Sequence, residues 1–120
     1  MDMTSITRIL KNLIRECQED YLGLWRIARR AQDIARASDD VRPMTLELVR
    51  RILTDRRVKI VIGNFSRRGF RPWTIAIPEA LSRIEKEWER LGRTPNIGDI
   101  AWLTAVDNIV VSDRPTGIVT

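Results

Sequence analysis

The stretch MTLELVRRILTDRRVKIVIGNF, residues 44–65, changes character halfway along, and that change decides the fold. In its first half Met44, Leu48, Val49, Ile52 and Leu53 recur at three- and four-residue spacing, the stripe of a helix with one buried side. Pro43 suits the first turn of that helix, where the amide hydrogen it lacks has no intrahelical partner. The spacing predicts a helix over residues 43–55. A short basic link follows, and then VKIVIG: the β-branched Val58, Ile60, Val61 and Ile62, closed by Gly63 and Asn64, predict a strand.

Toward the N terminus, Ile6, Ile9, Leu10, Leu13, Ile14 and Cys17 give a helical stripe over residues 5–19, with Thr4 or Ser5 as its cap. A second helix is predicted over residues 21–36, capped by Asp20 and burying Leu24, Trp25, Ile27, Ala28, Ala31 and Ile34. The two stripes nearly align, so one long helix is the alternative. Residues 37–42 form a polar connection.

Toward the C terminus, residues 64–73 read as a loop or wing, with Gly69 and Pro72 as turn markers. Residues 79–91 give a clear helix, opened by Pro78, closed by Gly92, and apolar at Leu81, Ile84, Trp88 and Leu91. IAWLTAV from Ile100 predicts another strand, and Asp107 and Asn108 turn the chain into a third over residues 109–112. The expected fold is α+β and winged-helix-like: three N-terminal helices, a small antiparallel sheet and one inserted helix. It forms a single domain over residues 1–112, followed by a loose tail over residues 113–120.

Residues 44–65 resemble the passage of bacterial winged-helix regulators in which the recognition helix runs through a basic link into the first wing strand. FRPWTIAIPEALSRIEKEWERLGRTPNIGDIAWLT, residues 70–104, resembles the C-terminal half of small bacterial proteins of that general plan, through PW, EALxRIExEW, LGR and PNIGDIAW. The second resemblance is the more specific, and it implies a fold without implying an activity.

Composition removes several classes of function. With 43% hydrophobic and 31% charged residues the chain is that of a folded domain. It has no histidine and a single cysteine, so the usual general base and an N/S zinc site are both missing. No DxDxDG-like loop offers calcium ligands, and GNFSRRG lacks the GKS or GKT ending of a phosphate loop. No metal, no cofactor and no enzymatic activity are expected. No apolar run approaches the ~20 residues of a membrane span, and the start MDMTSITRIL is unlike a signal peptide. A cytoplasmic protein with no membrane association is the expectation. Cys17 lies on a core stripe, and Trp25, Trp88 and Trp102 read as core, with Trp73 at its edge. On the last helix, Glu79–Arg83 and Glu89–Arg93 are spaced for ion pairs on a solvated face.

The charge distribution carries the functional signal. Residues 1–41 hold seven basic and seven acidic groups, residues 42–71 nine and two, and residues 72–120 five and seven. The whole surplus of +5 therefore comes from the third helix, the strand and the wing, the parts of a winged helix that meet nucleic acid. Opposite the apolar stripe the helix presents Glu47, Arg50, Arg51 and Thr54, with Glu47 placed to orient either arginine or to repel DNA. The expected nucleic-acid-binding residues are Arg50, Arg51, Thr54, Arg56, Arg57, Arg67, Arg68 and Arg71. DNA is the expected partner. The alternative is a protein partner, in the manner of an adaptor or an immunity-type protein, met by an apolar patch at Phe70 and Trp73. The first helix is equally suited to the core and to a homodimer interface. Eighteen arginines against three lysines also fit a GC-rich genome without any binding role.

Overall fold

The computed structural model describes residues 3–35 and 40–109. Within them the order is α1 (Met3–Glu19), β1 (Leu22–Gly23), α2 (Leu24–Ile34), α3 (Val41–Leu53), β2 (Ile60–Ser66), β3 (Gly69–Pro72), α4 (Ile77–Leu91) and β4 (Trp102–Ala105), with a 3-10 turn at Val106–Asn108. This is an α+β fold of four helices and a four-stranded antiparallel sheet, ordered β1-β4-β2-β3.

Two strands replace expected helix and loop. β1 interrupts the join between the first two helices, so α2 starts after Gly23, and the Asp20 carboxylate accepts from the Tyr21 amide instead of capping α2. A two-residue strand is too short to show alternation in sequence; its pairing, Leu22 with Leu103 and Gly23 with Trp102, comes from the other end of the chain. The expected loop over residues 64–73 is a hairpin, because β2 continues to Ser66 and turns back through Arg67 and Arg68 into β3. Both arginines keep negative φ, and the left-handed step of the turn falls on Gly69 at φ 110°.

The helices follow their stripes closely. Asp40 caps α3 by accepting from the Arg42 amide, so the helix begins two residues before Pro43. In α4, Glu79 accepts from the Ala76 amide at 3.2 Å. Glu79 is thus spent on its own helix end, and the expected pairs Glu79–Arg83 and Glu89–Arg93 do not form. Arg83 pairs with Glu87, Arg93 with Asp99 beyond the helix, and Glu89 with Arg42 of α3. Val106–Asn108 coils into a 3-10 turn, which ends the expected strand at Ala105. Ile109 is a bend, and the rest of the predicted third strand, the tail over residues 113–120, and residues 36–39 lie outside the described residues.

Ile60, Ile62, Leu103 and Leu22 face the helices and join a core with Leu13, Ile27, Leu48, Ile52, Ile84 and Trp88. Cys17 is fully buried there, as its stripe predicted, and burial, then the charge of Glu16, pushes its thiol up to about 12. Trp25 and Trp102 depart from expectation: both are half-buried and neither belongs to this core. Gly63 is buried where β3 crosses closest, and a Cβ there would lie 2.1 Å from the Arg71 carbonyl oxygen and 2.8 Å from the Pro72 Cα. Both atoms are backbone, so the strands themselves would have to part.

Trp88→Ala removes a side chain that is 3% exposed, and is expected to cost roughly 3–5 kcal/mol in chemical denaturation. Gly63→Ala is expected to cost about 1–3 kcal/mol by overpacking. Unchanged melting of either variant would contradict the packing described here.

Candidate nucleic-acid interface

With Thr45, Leu48, Val49 and Ile52 buried, the outer face of α3 carries Glu47, Arg50, Arg51 and Thr54. The two arginines close onto one carboxylate. Glu47 accepts from Arg50 Nε at 3.1 Å, from Arg50 Nη2 at 2.5 Å and from Arg51 Nε at 2.7 Å. These hydrogen bonds, Arg50 first and Arg51 second, hold the Glu47 carboxyl at about 2. The helix therefore presents a triad of net charge +1. Thr54 donates its hydroxyl to the Arg50 carbonyl at 2.9 Å, so it serves the helix end before any external group.

In the link, Asp55 accepts from the backbone of Arg57 and Val58 at 3.0 and 2.8 Å, and its other oxygen lies 3.5 Å from Arg57 Nη2. Arg56 is exposed, has no ion pair among the described residues, and stands with Lys59 on the rim of a cleft of about 370 Å³ floored by Ile60, Ile62 and Ala80.

Arg67 and Arg68 occupy the hairpin turn and Arg71 lies on β3; all three are exposed and without a carboxylate among the described residues. Ser66 fixes the turn, its Oγ accepting from the Arg68 amide and donating to the Gly69 carbonyl. The turn stands roughly 20 Å from the link, the span of β2 at ~3.3 Å per residue. The eight expected residues thus fall into three groups spread along α3, link and hairpin. Arg50 and Arg51 are brought together through Glu47, and Arg67 and Arg68 through the turn.

An aromatic cluster also belongs to this surface. Phe65 pairs with Phe70 across the hairpin, and Gly63 pairs with Trp102 two residues along, so all share the sheet face turned away from the core. The Phe65 ring lies 4.8 Å from Tyr21, 5.5 Å from Phe70 and 5.6 Å from Trp102. Phe70 is 3% exposed beneath its neighbours, which removes it from the expected Phe70–Trp73 patch, whereas Phe65 is 48% exposed. Trp73 sits at the core edge as expected, its indole N–H donated to Asn64 Oδ1, and Arg83 lies 3.9 Å over its ring. Alternation within β2 puts Phe65 opposite in face to Ile62, and that signal was readable; the partnership with Tyr21 and Trp102 depends on strand register and was not.

The Glu47 triad has a pH signature. Its carboxyl titrates near 4.5 in the unfolded chain and at about 2 in the folded one. The stabilisation it provides is therefore fully present above the unfolded value and is lost as pH falls toward about 2. Denaturation of wild type and Glu47→Gln between pH 2 and pH 6 should show a gap that closes at the acid end. A gap independent of pH would mean that the triad does not form in solution.

Among the described residues no three acidic or cysteine side chains gather to hold a metal ion, and no helix is long and apolar enough to cross a membrane. Comparison with protein-family models, curated proteins and solved structures produced no match to this chain, so the functional reading rests on the geometry above.

Proposed function

We propose that this protein is a nucleic-acid-binding regulatory module of winged-helix-like plan. The order α1-β1-α2-α3-β2-β3 supports that plan, since β1 supplies the early strand of a winged helix and the β2–β3 hairpin stands where its wing would be. α4 is then an insertion between the hairpin and the strand that returns to β1.

The observation that carries the reading is the uncompensated charge of the hairpin. Arg67, Arg68 and Arg71 lie within five residues of one another, exposed and without a carboxylate among the described residues. Phosphate contacts need cations that are not already neutralised, and the hairpin offers more of them than α3 does. The hairpin is thus the principal contact, and the α3 triad a weaker one that Glu47 moderates.

A protein partner is the second reading, favoured by that moderation and by Ile97, which is 69% exposed at the tip of the turn before β4. Gel shift with mixed duplex and single-stranded DNA at two salt concentrations separates the two. The nucleic-acid reading expects binding that falls steeply with salt, and a log–log slope on duplex that flattens by roughly two to three when Arg67, Arg68 and Arg71 are changed together to alanine. Glu47→Gln, which releases two guanidinium groups, should strengthen binding. Absence of binding to any nucleic acid at ~50 mM salt would transfer the function to a protein partner.

A further inference from the structure

We infer that the outer face of the sheet is a stacking platform for single-stranded nucleic acid, with Phe65 as its open ring; the inference rests on the nucleic-acid reading above and names its substrate class. The face carries a strip of aromatic rings that crosses all four strands. At the β1 edge, Trp25 lies over Gly23, where an added Cβ would meet the indole Cδ1 at 2.5 Å and the Trp102 ring at 3.2 Å. Trp102 of β4 follows, then Phe65 of β2, then Phe70 of β3. Gly23 leaves room for the Trp102 ring beside Trp25, and Trp102 meets the Phe65 ring edge-on, at an interplanar angle of 77°. This face is not covered by the helical core, since Trp25, Phe65, Phe70 and Trp102 all lie outside that cluster.

Positive charge borders the strip at both ends. The Arg29 and Arg26 guanidinium carbons lie 5.6 and 5.9 Å from the centre of the Trp25 ring, with Arg26 also paired to Glu16 and Arg29 without an ion pair among the described residues. At the other end the turn presents Arg67 and Arg68 two and three residues past Phe65. Asp20, next to Tyr21 in the chain, accepts from the Tyr21 amide at 2.7 Å. Exposed aromatic surface between cations is what an unpaired strand needs: bases stack on rings whatever their sequence, while arginines take the phosphates. A duplex keeps its bases stacked on one another and gains nothing from Phe65, and the helix that would enter its major groove has both arginines closed onto Glu47.

The test measures fluorescence anisotropy of a labelled 15-nucleotide oligothymidine and a labelled 15-base-pair duplex at 50 and 200 mM salt, with wild type, Phe65→Ala, Phe65→Tyr and Arg67→Ala/Arg68→Ala. The expected result is tighter binding of the single strand, an approximately tenfold loss with Phe65→Ala, and near-wild-type binding with Phe65→Tyr, which keeps the ring. The arginine pair should flatten the salt slope on the single strand by about 1.4. Thermal melting checks that each variant folds, and Phe65→Leu, apolar but without a π face, repeats the test if the alanine variant does not. Equal binding by the wild type and the ring-free variants, or a preference for duplex, overturns the platform and leaves the nucleic-acid reading standing. Binding of neither probe overturns both. Concentration-dependent self-association abolished by Phe65→Ala also overturns it, because the face would then belong to a second copy.

Discussion

The last strand among the described residues, β4, is the one on which the sheet depends. Leu103 pairs with Leu22 on one side and with Ile62 on the other, so β4 joins the beginning of the chain to its middle. Its own position is set by polar contacts at both ends. Thr104, fully buried, donates to backbone carbonyls at the end of α1, and Asn108 donates to the same Cys17 carbonyl at 2.7 Å. Before the strand, the Ile100 carbonyl accepts from the Asn64 side chain, whose oxygen takes the Trp73 indole N–H. Ile100 adopts φ 68°, a conformation costly for a β-branched residue, and these neighbours hold it there.

Periodicity made the helices legible. α1, α3 and α4 bury the centres of their marked stripes, while Leu10, Ile14, Met44, Leu53, Leu81 and Leu91 at the margins are half-buried; the stripes were legible because a three- or four-residue spacing is information contained within one segment. The centre of β2 was legible for the same reason. β1 and β3 were not. One has two residues and the other lies among glycine, proline and arginine, so neither carries a pattern of its own; each exists because a partner strand satisfies its backbone. The tryptophans show the same limit from another side. Trp88 is held by its helix stripe, whereas Trp102 sits in a strand with apolar neighbours on both sides, and only the register decides which face it takes.

The candidate site divides along similar lines. That residues 42–71 hold the positive surplus follows from counting, and the Glu47 pairing follows from helical spacing of three and four residues. How much of that charge remains available does not follow from either. It depends on Asp55 folding back onto the link and on the hairpin carrying its turn beyond reach of any described carboxylate. The effective surface is therefore narrower than the sequence count, and it has moved from helix to hairpin.

The hairpin also closes an edge of the sheet. β1 has two residues to offer a foreign strand, but β3 is an outer strand among the described residues, and the outer side of such a strand invites another chain to add on. Three features oppose this: β3 is only four residues long, Pro72 ends it without an amide hydrogen, and Arg67, Arg68 and Arg71 surround it with like charge. The arginines proposed to meet phosphate thus also make the surface repellent to copies of itself. Selection for solubility alone would retain part of this charge, and a polyanion that neutralised it would bring the edges of neighbouring molecules within pairing distance.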